Sequence, residues 1–225
     1  ASVGKSVAYR QKLSDMARSN GSLIDLYLQR RRAMSDRQLS ELGLTAEGVG
    51  LSEQFMPREA IERTPVDERD PVWTVSVLES RFYMGNMLLR DADINGMAHS
   101  QEIRVPMLDK RILDGFMRVP GRVRLPRPVN NKHLLRAAFP DLLRAELLNQ
   151  PKRGFTLPLR RWMQTSLRET CEGALGELKS LGALRTEGVD SIWKAFLADP
   201  ESPIWSRALT LVVLGVYVKR MGLRG

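Results

Sequence analysis

Two stretches of the chain hold residue types that could do chemistry. The first, Leu89 to Asp109, reads LRDADINGMAHSQEIRVPMLD, and in it Asp91, Asp93, Glu102, Arg104 and Asp109 are interleaved with Ile94, Met97, Ile103, Val105 and Leu108. On a solvated face those apolar residues are wasted, and in a core the charges have to be paired. One reading is a structural ion-pair network, with Glu102 against Arg104 or a neighbouring arginine. The other is a cleft wall that keeps a carboxylate ready for proton transfer or electrostatic stabilisation. Composition leaves both open. The second stretch is Gln150-Pro151-Lys152-Arg153-Gly154-Phe155. Gly154 permits backbone conformations that side-chain-bearing residues resist, and Pro151 stiffens the entry. Two adjacent cations on such a turn suit a phosphate or pyrophosphate, although a plain basic surface turn has the same composition.

Other candidates are weaker. Gly4-Lys5-Ser6 imitates the tail of a phosphate-binding loop, but only Ala1, Ser2 and Val3 precede it here, too few for the strand and upstream glycine such a loop needs. His99, His133 and Cys171 are not at zinc-type spacings, so no metal site is expected. With two histidines and no Gly-x-Ser-x-Gly elbow, a Ser-His-Asp centre has little material.

The elements that must position these residues read as helices. Apolar residues recur at helical spacing from Lys5 to Arg18, and Ser22, Ser35 and Ser52 stand where helix caps belong. Pro57 would bend or restart the helix begun at Ser52. Pro65 to Asp70 is a loop, and a long helix is expected from Val72 to about Leu89. Met107 to Met117 is apolar at helical spacing. Val119 to Asn131, with Pro120, Pro126 and Pro128, is expected to be an extended connection. Further helices are expected over Lys132 to Phe139, Pro140 to Asn149, Leu159 to Leu175, Val189 to Leu197 and Pro203 to Met221. The fold class is therefore all-α and multi-helical: one helical region over residues 1–225, in which 1–70 are helices of undefined packing and 71–225 form the body.

Bulk composition adds limits. Hydrophobic residues at 43% and charged residues at 27% are ordinary for a globular protein. The longest apolar run, Leu209 to Val218, falls short of the roughly 20 residues that cross a bilayer, so no membrane partner is expected. A lone cysteine excludes an internal disulfide framework and suits a reducing, cytoplasmic setting, and no secretory signal is expected. The net charge of +9 admits a nucleic-acid partner, but the arginines are scattered and aromatics make up 6%, which argues against one.

Two blocks carry a resemblance. MAHSQEIRVPMLDKR, Met97 to Arg111, resembles the "MAHS-x-E-x-R-x-P-x-L-D" segment of the asparagine synthetase family. NKHLLRAAFPDLLRAELLNQPKRGFTLPLRRW, Asn131 to Trp162, resembles the block that follows it, and Pro203-Ile204-Trp205 with the apolar terminal helix resembles the family's ending. The resemblance implies the helical C-terminal part of an otherwise α/β adenine-nucleotide-binding synthetase domain. It implies a chemistry in which ATP, with Mg, adenylates the side-chain carboxylate of aspartate, and glutamine-derived ammonia displaces AMP to give the amide. By the same resemblance Glu102 sits at the acyl-adenylate, Lys152 on the phosphates, and Asp93, Arg104, Asp109 and Arg153 support them through ion pairs. The family's Ser-Gly-Gly-x-Asp-Ser loop and its N-terminal cysteine are missing from these residues, so the implied partners are an ATP-binding half and a glutaminase domain, and this chain alone is expected to be inactive with no bound cofactor. Ile94 replaces a common arginine, which implies that the acceptor need not be aspartate. An aspartate-like small molecule, a different acceptor and a non-catalytic helical interaction module are the resulting alternatives, with self-association through an exposed apolar face also expected.

Overall fold

Short polar side chains start several of the helices. Ser22 accepts the Asp25 amide at 3.2 Å, and Ser35 forms a capping box with Gln38, its hydroxyl accepting the Gln38 amide while Gln38 Oε1 accepts the Ser35 amide at 3.1 Å. The computed structural model describes residues 7–126, 132–143 and 157–225. In chain order it contains α1 (Val7–Arg18), α2 (Leu23–Arg31), α3 (Asp36–Glu41), α4 (Arg58–Glu62), α5 (Pro71–Leu78), a π-helix (Glu79–Leu89) and α6 (Arg90–Met97). There follow a 3₁₀ turn (Pro106–Leu108), α7 (Lys110–Arg118), α8 (Gly121–Arg124), α9 (His133–Ala138), α10 (Leu159–Gln164), α11 (Arg168–Ser180), α12 (Thr186–Ala198) and α13 (Trp205–Met221). No strand occurs among the described residues, so the class is all-α.

The chain forms two compact units: Ala1–Arg58 with Phe155–Gly225, and Glu59–Gly154. The first holds a continuous core in which Leu42, Met163, Leu178, Val189, Phe196 and Leu211 are nearly or wholly excluded from water. Its centre is the crossing of α11 and α13. Gly215 permits it, because a Cβ there would run into the backbone carbonyl of Ala174. Cys171, Ala174 and Ala208 keep the same contact small, and Cys171 is a buried packing residue whose thiol is pushed up by desolvation. Gly188 lets the start of α12 lie on the end of α3, where the Arg185 amide donates to Leu42 O at 2.9 Å.

In the second unit the hydrophobic core is small: among its described residues only Val77 and Leu78 are buried apolar side chains. Polar contacts compensate. Asp70 caps α5 by accepting the Trp73 amide at 2.9 Å and also accepts the Gly121 amide at 2.6 Å. Trp73 Nε1 donates to Met117 O at 3.1 Å, and Arg124 Nη1 donates to Ser76 Oγ at 3.1 Å. These bonds bind α5 to α7 and α8.

Several expectations need correction. The helix from Val72 is α-helical only to Leu78 and then widens into the eleven-residue π-helix. No helix begins at Ser52, whose hydroxyl accepts the Met56 amide in a turn, and helix restarts at Arg58 just after Pro57. Val119 to Asn131 is not wholly extended, because Pro120 opens the short α8 with its carbonyl accepting from Val123 and Arg124. Leu159 to Leu175 is two helices, broken where the Thr165 backbone leaves the helical region and its hydroxyl takes Arg161 O at 2.8 Å. Gly4 to Ser6, residues 144–149 of the Pro140–Asn149 helix, and 150–156 of the following loop lie outside the described residues.

The Gly215 crossing yields a direct test. Gly215→Val should lower stability by about 1–3 kcal/mol or more, since the obstruction is backbone rather than a flexible side chain. Thermal unfolding of the variant checks it, and an unchanged Tm would mean that α11 and α13 do not approach this closely.

Candidate functional site

The segment that carries Glu102 is shaped by a tight reversal at the end of α6. Ser100 adopts a left-handed backbone, φ 56°, and the Gln101 amide donates back to Gly96 O at 2.9 Å. A non-glycine residue holds that conformation at a cost of roughly 1–2 kcal/mol, so strain sits two residues before Glu102. Gly96 is buried because the returning chain crosses it: a Cβ there would meet Gln101 O and lie within 3.2 Å of the Ile103 side chain. Ile103 faces α6, and period-two alternation sends Glu102 and Arg104 to the other side of the strand-like segment.

There the two side chains meet. Arg104 Nε donates to Glu102 Oε1 at 3.0 Å and Arg104 Nη2 to Oε2 at 3.2 Å, a bidentate pair open to solvent. A second pair of the same form follows the 3₁₀ turn: Arg111 Nε and Nη2 each lie 3.0 Å from an Asp109 oxygen, and Asp109 also accepts the Arg111 amide at 2.9 Å as the cap of α7. The hydrogen bonds from Arg111, side chain first and then backbone, hold the Asp109 carboxyl below its ordinary value and raise the Arg111 guanidinium. Lys110 and Asp114 pair one turn apart on α7.

Of the residues marked by the sequence, Glu102 and Arg104 are thus brought together, and Asp109 is paired with Arg111 rather than with Arg104. Asp93 is exposed on α6, with no ion-pair partner among the described residues. Lys152 and Arg153 lie outside them. Arg111 and the Asp70–Gly121 link are not among the residues that the sequence marks. Arg111 stood in plain view two residues after Asp109, and Asp70-Pro71 is a helix-start signal that the loop reading of Pro65 to Asp70 ignored.

Several apolar side chains of this segment and of its neighbours in the unit face water. Ile94, Met97, Ile103 and Met107 are each more than half exposed, and Val105 and Phe116 more than two-fifths. Ile112 and Leu113 on α7 are exposed as well, and Val105, Pro106, Leu108 and Ile112 line one hollow with Arg104, Asp109 and Arg111.

Comparison with known proteins identifies the kinship. The asparagine synthase family model matches residues 4–218, and the chain belongs to that family. It is 27% identical over 139 residues to asparagine synthetase [glutamine-hydrolyzing] 1 of Bacillus subtilis, covering 60% of this chain and 22% of that protein. It is 42% identical over 67 residues to the asparagine synthetase [glutamine-hydrolyzing] of Rattus norvegicus, covering 29% of this chain and 12% of that protein. The chain therefore spans about a fifth or less of the length of these curated relatives. No solved structure matches. No helix among the described residues is long and apolar enough to cross a membrane.

Asp70 makes a prediction in acid. Its hydrogen bonds from the Gly121 and Trp73 amides, with the Arg124 charge nearby, lower its carboxyl below the ordinary 3.8. The unfolded chain therefore takes up the proton first as pH falls: the contribution is complete above the ordinary value and is lost as pH drops through the folded one. Asp70→Asn should lower stability at neutral pH and make the acid limb below about pH 4 shallower. Parallel urea titrations across pH 2–7 would read this, and curves that stay parallel would refute it.

Proposed function

We propose that this chain is the helical portion of an ATP-dependent, amide-forming synthetase and that it contributes Glu102 to the acyl-transfer step. The observation that supports the reading is the family match across residues 4–218, together with Glu102 on an exposed segment in which Ile103 and Val105 are also exposed. In this reading ATP is a substrate held, with Mg, mainly by a partner half; Lys152 would meet its phosphates. The acceptor carboxylate attacks the α-phosphorus, pyrophosphate leaves, and the acyl-adenylate forms. Ammonia then adds to the acyl carbon, Glu102 takes a proton from the attacking nitrogen, and AMP departs to leave the amide. Arg104 holds the carboxylate through both oxygens and so fixes its direction.

The exposed rim of Ile94, Met97, Ile103 and Met107 is the surface on which the ATP-binding half docks. Ammonia would reach it from a glutaminase domain, and a cytoplasmic setting suits the free thiol and the ATP supply. Aspartate is the first acceptor to test. A non-aspartate acceptor is the second reading, supported by Ile94, which stands, exposed, where the resembled family often carries arginine.

The mutation that tests this is Glu102→Gln in the whole synthetase. Amide formation should fall by about 10²–10⁴-fold while glutamine hydrolysis is retained. Arg104→Met should lower the rate less and shift its pH dependence. Equal loss of both activities in the Glu102 variant would assign it a structural role instead.

A further inference from the structure

The reversal that carries Glu102 closes on one residue of α6. Gly96 O accepts two amides at 2.9 Å, from His99 and from Gln101, and the Ser100 amide donates to Met97 O at 3.0 Å. With Ser100 left-handed at φ 56°, these bonds make a helix ending that ordinarily places glycine where Ser100 stands. The glycine is found earlier instead, inside the last turn of α6, where alanine would be the better helix former. Its reason is the chain that returns over it. A Cβ on Gly96 would lie 2.6 Å from Gln101 O and 3.1 Å from Ile103 Cδ1.

That closeness matters for Glu102 because of what holds its carboxylate. Arg104 takes both oxygens, at 3.0 and 3.2 Å, but it belongs to the same segment, so the pair travels with whatever carries it. Neither side chain is buried, so packing does not fix the pair in place. Two contacts tie the segment to α6: the Gln101 amide on Gly96 O, and the Ile103 side chain against Gly96. Gln101 and Ile103 are the residues on either side of Glu102, so both of its neighbours are anchored at the same glycine.

We propose that Gly96 is the positioning residue for Glu102: by lacking a side chain it lets Gln101 and Ile103 seat on α6, and so sets where the carboxylate stands. Its role rests on the proton-accepting part proposed for Glu102, and supplies the contact that places that group. A methyl group at Gly96 presses first on a backbone oxygen, which cannot rotate aside as a flexible side chain can, so the segment has to shift. Proton transfer needs hydrogen-bond reach, and a misplacement of about 1 Å can cost about a hundredfold in rate. Ser100 controls the same reversal from its other side. Glycine there keeps the left-handed turn without strain, whereas a β-branched residue opposes it.

The test is Gly96→Ala, alone and combined with Glu102→Gln, in the whole synthetase. Gly96→Ala should lower kcat for amide formation by about 10–100-fold, retain glutamine hydrolysis, and add no further loss to Glu102→Gln. Ser100→Val should act in the same direction and Ser100→Gly should keep the rate, which covers the case of a Gly96 variant that does not fold. On this chain, hydrogen exchange of the Gln101 amide should quicken by about tenfold or more in Gly96→Ala and stay slow in Ser100→Gly. Full amide formation in Gly96→Ala beside a crippled Glu102→Gln would overturn the positioning role alone. Losses that multiply in the double variant, or an unchanged Gln101 exchange, would do the same. Full amide formation in Glu102→Gln would overturn the part proposed for Glu102 itself, and the positioning role with it.

Discussion

Asp70 has an outsized share in holding the Glu102-bearing unit together. It ends the loop before α5, accepts the Trp73 amide as a cap, and reaches 51 residues along the chain to the Gly121 amide. Gly121 has to be glycine for this, since a Cβ would collide with the same carboxylate and with Val72. With Val77 and Leu78 the only buried apolar side chains among the described residues of that unit, burial alone supplies little. Charge-assisted hydrogen bonds from backbone amides are directional and about twice as strong as neutral ones, so they suit a unit with so few buried apolar side chains.

The other unit is built on the opposite principle. Its core is continuous, and its closest approach, Gly215 against Ala174, depends on the absence of side chains rather than on polar contacts. Half-exposed apolar side chains gather around the acidic site of the Glu102-bearing unit, where the reaction proposed for it would need water removed.

Much of this was legible in the residues. Helix starts at Ser22 and Ser35 followed from hydroxyl caps. The pairing of Glu102 with Arg104 was one of the readings open from composition, because residues two apart on an extended segment share a side. The π-helix was not legible: Glu79 to Leu89 has the composition of an α-helix, and the wider winding leaves no mark on spacing that a periodicity reading detects. The break at Thr165 was missed because apolar spacing continues across it, while the hydroxyl that competes for the backbone is invisible to a pattern of apolar residues.

The most direct test of the central claim, that this helical chain completes an ATP-using half, is pyrophosphate release from Mg-ATP in the presence of ammonium and a carboxylate acceptor. It should be run on this chain, on the chain extended upstream to include a nucleotide-binding region, and on the two parts mixed. The account predicts no release from the chain alone and acceptor-dependent release from the extended protein, with aspartate tried first and less acidic acceptors next. Release by the chain alone, or none from the extended protein with any acceptor, would contradict it.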